Sequence, residues 1–405
     1  MARAPIPTTD PSRDAAALLR RLGFAVLTIG LPFAALLSRR GVVLLLPIGA
    51  VLLIVAAGLE SGFRRLRENA GRLRDSSAFL LTSFALAWAA VSLAWSPDPS
   101  TGGSRLFGAF GMLALGLGAY LALPERMRAA NLYLVPVGTA LAGASALAIT
   151  LAGQPGGLDE DGRSLERGLA VLVLFLWPSV AWLRSRGRDL EAGCLAVSVA
   201  VAVLIAPGPA HKVALAAGAA TFVVATMSSG GVRLVAALLA AGVAAAPLLP
   251  LMLAPVAGAV GLGTWSPALQ TWASIVTGEP WRLLTGRGYG TLLRDRLSGT
   301  LPASTPDTIL LQVWYELGLV GALAVAAILW TGLRSAGGNY PRLMPGLVAA
   351  VAAAYALAAG GVGIGQPWWP GALVVLAIIF IGAERSQFST RRPRAAIRSS
   401  ATVRA

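Results

Sequence analysis

The chain has 405 residues, 56% of them hydrophobic and only 13% charged, with a mean hydropathy of +0.72. A water-soluble chain of that length needs far more polar surface to cover itself, so a soluble globular protein is excluded. The net charge of +15 would suggest a nucleic-acid partner in a soluble protein; in this chain it reads instead as topogenic arginine facing anionic lipid.

In chain order, apolar runs predict about twelve spanning helices, centred in 22–38, 41–59, 76–95, 106–123, 132–151, 168–183, 192–206, 213–228, 234–253, 308–333, 342–360 and 369–383. The expected class is therefore an all-α polytopic membrane protein. The first helix follows a polar tail and reads as a start-transfer anchor, because no small-residue cleavage pattern follows it. Arginine collects on alternate breaks: the tail with Arg13, Arg20 and Arg21, the loop with Arg64, Arg65 and Arg67, then Arg126 and Arg128, Arg184 to Arg188, Arg233, Arg334 and Arg342. With an even number of spans these breaks share one side, which places both termini in the cytoplasm. Arg39–Arg40, in a tight turn between the first two helices, departs from that pattern.

The expected organisation is a basic cytoplasmic tail over 1–21, nine spanning helices over 22–253, one large periplasmic loop over 254–307, three further helices over 308–383 and a second basic cytoplasmic tail over 384–405. Segments 266–276 and 289–297 of the large loop predict short amphipathic helices, with Trp265, Trp272 and Trp281 at headgroup depth. A loop of that length is usually functional, so the site is expected beneath it. One cysteine, Cys194, and one histidine, His211, exclude a disulfide framework and a thiol- or His-rich metal site.

Few charges fall near helix ends on the arginine-poor side, and each one is a candidate. Arg167 opens the sixth helix beyond an acidic loop with Asp159, Glu160 and Asp161. His211 and Lys212 open the eighth. Arg287 sits in Gly286-Arg287-Gly288-Tyr289-Gly290, Asp307 precedes the tenth helix, and Glu316 lies about two turns deeper. Cations gathered at helix mouths would clamp a pyrophosphate carried by a lipid, with helix dipoles adding to the same field. A nearby carboxylate would then deprotonate a sugar hydroxyl. Structural readings stand beside these. Arg167 and Lys212 can snorkel to headgroups, His211 can serve as a cap, Asp307 suits ordinary helix-start chemistry, and the glycines suit a turn.

At the tenth helix, Asp307 to Gly321 reads DTILLQVWYELGLVG. The stretch Leu311-Gln312-Val313-Trp314-Tyr315-Glu316-Leu317-Gly318 with Gly321 resembles the LQxWxELGxxG signature of the O-antigen ligase and polysaccharide polymerase family, where a His-Asn pair precedes it. Trp95-Ser96-Pro97 resembles the Trp-Ser-Pro end of an early helix in that family. Arg167-Gly168 ahead of Trp177-Pro178 resembles its Asn-Arg-Gly helix start, and Pro280 with Gly286, Gly288 and Gly290 resembles its periplasmic Pro…Gly-x-Gly. The resemblance covers about 90–330.

That resemblance implies a GT-C-like membrane glycosyltransferase of the bacterial inner membrane. It would move a glycan from undecaprenyl pyrophosphate to lipid A–core or another glycan at the periplasmic face, in lipopolysaccharide or exopolysaccharide biosynthesis, with no metal, no cofactor and no nucleotide sugar. Asp307 would act as base or acceptor-positioning group and Glu316 would shape the site from below; Lys212, Arg167, Arg287 and His211 would hold the pyrophosphate. The chain departs from the family in three places. The His-Asn pair falls on Asp307-Thr308, a Ser-Arg pair falls on His211-Lys212, and an arginine expected four residues before Trp272 falls on Ala268. Aspartate replaces histidine as a proton acceptor when burial favours its neutral form, and lysine replaces arginine as a point charge without the bidentate fork. The other readings are a transporter or flippase of a lipid-linked solute, and a catalytically degenerate homologue that assists polysaccharide assembly.

Overall fold

A computed structural model describes residues 11–61, 64–74, 76–153, 163–257, 265–336 and 342–387. The acidic Asp159, Glu160 and Asp161 and the outer parts of both basic tails lie outside the described residues. Within them the chain is helical, with no strand. Among the described residues nine helices are long and apolar enough to cross a membrane. The protein is a multi-pass α-helical membrane protein, the arrangement in which every backbone polar group is satisfied within its own segment.

Helix α1 (Pro11–Ala25) passes through a π turn (Val26–Gly30) into α2 (Leu31–Leu37), and together they make one 27-residue span. Pro32 explains the turn, since it has no N–H for the carbonyl four residues back. Ser38 is extended and its hydroxyl accepts from the Arg40 amide, so Arg39–Arg40 open α3 (Arg39–Ser61). The arginine-rich α4 (Arg64–Arg74) touches α3, then α5 (Ser77–Ser92) and α6 (Pro99–Ala122). Asp98 caps α6, accepting from the Thr101 amide at 3.1 Å and the Ser100 hydroxyl at 2.8 Å. A single turn, α7 (Ala129–Leu132), leads into α8 (Leu134–Leu151).

Helix α9 (Ser164–Ser185) is the central post. Its spanning stretch is 89% buried, against at most 56% for any other span. Around it pack α2, α8, then α10 (Asp189–Ile205) and α11 (Ala210–Met227). The expected span over 234–253 is two helices, α12 (Ser229–Ala244) and α13 (Leu248–Ala257), bent by 80° at Ala245–Pro247. Proline at the break again lacks the N–H that would continue the ladder.

The described part of the large loop is ordered by its own small core. In α14 (Trp265–Gly278), α15 (Arg282–Thr285) and α16 (Thr291–Leu297), the side chains Trp272, Val276 and Leu292 pack with Leu310, Leu311, Trp314 and Tyr315 of α17 (Ile309–Ala336). The helices expected over 266–276 and 289–297 are α14 and α16. The chain closes with α18 (Met344–Ala359) and α19 (Trp368–Arg385), both against α9. The runs expected over 192–206 and 342–360 form α10 and α18, of 17 and 16 residues, at the short end for a membrane crossing.

Candidate functional site

Two neighbouring cavities open where the first turns of α9, α17 and α19 meet the end of α18 and the loop after it. The first, about 550 Å³ and mostly polar, is lined by Arg163, Glu166 and Arg167 of the α9 start, Asp307 ahead of α17, the Gly360–Ile364 loop and Trp368. The second, about 670 Å³ and mostly apolar, is lined by Arg105 and Met112 of α6, Tyr289, Gln312 and Glu316, and Trp369. Gly363, Ile364 and Gln366 line both, so a single loop separates a polar chamber, with two arginines and two carboxylates, from a mostly apolar one.

Arg167 is 4% exposed, and its Nε donates to the Ala35 carbonyl at 3.2 Å, anchoring the α9 start on α2. A buried guanidinium keeps much of its Coulomb strength because water is excluded around it. Asp307 is in a different environment from the one a buried general base requires: its side chain is 61% exposed and ion-paired to Arg296, which also donates to the Thr305 carbonyl. It faces the cavity from a fixed position, suited to orienting a hydroxyl. Gly361 lies directly against it, in the left-handed region at φ +87, where a Cβ would press on the Asp307 backbone.

Glu316 is 2% exposed and stands in the second cavity. Its carboxylate accepts from the Leu292 amide at 3.3 Å, at the start of α16, and from the Gln312 side chain at 3.4 Å. Beside it, burial first and the Glu316 charge second push the Tyr289 hydroxyl upward from its ordinary pKa, so that it stays protonated.

The helix carrying Glu316 is broken at the next turn. Gly318 has φ 65 and ψ −159, outside helical space, and three carbonyls that the helix releases find partners elsewhere. The Arg287 amide donates to Tyr315 at 2.8 Å, the Gly288 amide to Glu316 at 3.0 Å and Trp88 Nε1 to Leu317 at 2.9 Å. The Gly-Arg-Gly-Tyr-Gly segment therefore docks edge-on into the break, and its glycines serve close backbone approach.

No family model, curated protein or solved structure matches the chain.

Of the six candidates read from the sequence, Arg167 and Asp307 share the first cavity and Glu316 lines the second. Arg287 stands apart. It is ion-paired with Glu279 at 3.2 Å, donates to the Tyr315 hydroxyl at 2.9 Å and stacks over that ring at 4.8 Å, in a narrow crevice with Trp272 and Trp314. Its contacts hold the large loop to α17. His211 is 2% exposed beside Glu166, and Lys212 follows it at the α11 start; both are near the first cavity and line neither. Arg282 and Arg294, the loop arginines that could stand in for the one absent at Ala268, also stay outside both cavities: Arg282 lies over Trp281 at 4.0 Å and Arg294 lies 4.0 Å from Asp295.

Four further residues at the site are not among the candidates read from the sequence. Arg163 and Arg105 are the further cations of the two cavities, Arg296 fixes Asp307, and Gln312 holds Glu316. The loop Gly360-Gly361-Val362-Gly363-Ile364-Gly365, with three positive-φ glycines, reads in sequence only as an uncharged turn.

Proposed function

We propose that the chain is a bacterial inner-membrane glycosyltransferase of the O-antigen ligase or polysaccharide polymerase type. It has about twelve spans in a GT-C-like arrangement and transfers a glycan from undecaprenyl pyrophosphate to a lipid or glycan acceptor at the periplasmic face. One observation carries this reading: a polar cavity holding Arg163 and Arg167 together with Glu166 and Asp307 adjoins an apolar cavity across a shared loop. An anionic headgroup on a prenyl tail is the chemistry that fits both halves at once. The acceptor hydroxyl attacks the anomeric carbon, the bond to the pyrophosphate oxygen breaks, the hydroxyl proton passes to the departing pyrophosphate, and the configuration inverts in a single displacement. Arg167 and Arg163 neutralise the leaving pyrophosphate, helped by the amino-terminal dipole of α9. Asp307 orients the acceptor, and Glu316 supports the floor.

A second reading, a transporter of a lipid-linked solute, is favoured by the two discontinuous helices, at Gly318 and at Ala245–Pro247. Purified protein in proteoliposomes with lipid-pyrophosphate-linked glycan and acceptor separates the readings. Glycan transfer supports the enzyme. Translocation without transfer supports the transporter, and binding alone supports a degenerate homologue.

A further inference from the structure

We propose that the cavity at the opposite end of the bundle is a binding site for the phosphate-bearing headgroup of an anionic phospholipid. This cavity, about 800 Å³, is lined by Arg184 at the end of α9, Arg233 in the first turns of α12, Arg334 at the end of α17 and Arg342 ahead of α18. Its volume falls among pockets that hold whole small molecules, roughly 300–1,000 Å³.

Asp189 is the single carboxylate in the lining, and it is paired with Arg184 at 3.2 Å. Four arginines against one aspartate leave a local charge of +3. Four separate elements converge their cations on one concavity, where mutual repulsion opposes folding unless an anion enters. Two of the guanidiniums are seated on rings: Arg184 over Phe222 at 5.4 Å and Arg334 over Trp330 at 5.0 Å. Stacking of this kind leaves the planar edge of Arg334 available for bidentate phosphate recognition, while Arg184 gives its Nε to Asp189.

The remaining wall is mixed: Phe222, Val232 and Met344, from the ends of membrane-length or neighbouring helices, give it an apolar side next to the hydroxyls of Ser185, Thr226 and Ser228. A free phosphate would satisfy the arginines and leave that wall bare. A glycerophospholipid satisfies both, placing its headgroup among the arginines and its glycerol and first methylenes against the apolar side. Basic pockets between spanning helices are a recognised setting for such headgroups.

The test uses full-length protein in a zwitterionic detergent, titrated separately with short-chain phosphatidylglycerol, short-chain phosphatidylcholine and inorganic phosphate, with binding read by native mass spectrometry. Phosphatidylglycerol is expected to bind the native chain. Arg233→Gln with Arg334→Gln should weaken it about 30-fold, about fivefold for each arginine removed. Arg67→Gln with Arg128→Gln removes the same charge outside the cavity and should leave binding within about twofold. Should the Arg233 and Arg334 pair fail to fold, Arg342→Gln alone carries the test with about a fivefold loss expected. Unchanged affinity in the cavity variants, an equal response to phosphatidylcholine, or binding of inorganic phosphate as tight as the lipid overturns the assignment.

Discussion

Gly318 and Gly286 meet backbone to backbone: a Cβ on Gly318 would fall 2.5 Å from the Gly286 amide nitrogen, and one on Gly286 would collide with the Glu316 carbonyl. Around this contact the large extramembrane loop enters a break in α17 and satisfies two of the three carbonyls that the break exposes, Trp88 of α5 taking the third. In lipid those carbonyls would otherwise be left without water, at a cost of several kcal/mol each. The ELG and GRGYG segments are therefore two halves of one joint, and that joint sets where Glu316 stands.

Alanine at Gly318 combines a left-handed backbone with a collision against Gly286. Gly318→Ala should destabilise the protein by about 1–3 kcal/mol or more, seen as a lower melting temperature in detergent. Gly332 lies in the same helix, and a methyl group added there would meet nothing within 4 Å, so Gly332→Ala should be neutral or slightly stabilising. Equal melting temperatures for the two variants would contradict the joint.

Glu316 accepts hydrogen bonds from the Leu292 amide and the Gln312 side chain while fully enclosed. Glu316→Ala leaves a buried donor unsatisfied and should cost about 1–3 kcal/mol. Glu316→Gln keeps one acceptor oxygen, so it should melt closer to the native protein. A smaller loss of glycan transfer in Glu316→Gln than in Glu316→Ala fits a supporting role; complete loss in a stable Glu316→Gln would instead assign the carboxylate to the chemistry.

Arg287 and Arg167 should behave oppositely. Arg287→Gln breaks the contacts to Glu279 and Tyr315 that hold the loop, so it should lower thermal stability and leave the KM for lipid-linked donor nearly unchanged. Arg167→Gln should raise that KM and reduce turnover together, because its charge lines the polar cavity. A raised KM in Arg287→Gln with native stability would return that arginine to the binding site.

How far the sequence reads is clear from particular residues. The helices are legible because each apolar run is long and bounded by arginine, and Arg167, Asp307 and Glu316 stand out as charges at or inside helix starts. The break at Ala245–Pro247 is hidden within an uninterrupted apolar run, where hydropathy has no sensitivity to one missing N–H. Arg105 lies beyond the Pro99 helix start and cannot be placed beside Glu316 without the fold, whereas Gln312 lies four residues before Glu316 and shares its helix face by spacing alone. Arg287 has the sequence setting of a phosphate ligand because its true partners, Glu279 and Tyr315, reach it only through the tertiary path of the loop.

The α6 cap gives a pH-dependent signature outside the spans. Hydrogen bonds from Thr101 and Ser100 hold the Asp98 carboxyl at about 2, below its ordinary 3.8. A depressed folded-state value means the stabilisation is complete above about pH 4 and is lost as the pH falls toward about 2. The melting-temperature gap between native protein and Asp98→Ala should narrow across that window; a gap independent of pH would contradict the cap.

The most direct measurement is glycan transfer by purified protein in proteoliposomes, comparing the native chain with Arg167→Gln and Asp307→Ala at matched folded concentration. Transfer by the native protein, reduced about 100-fold or more in both variants, is the predicted result. No transfer by the native protein, or undiminished product from both variants, would contradict the placement of the reaction between α9 and α17.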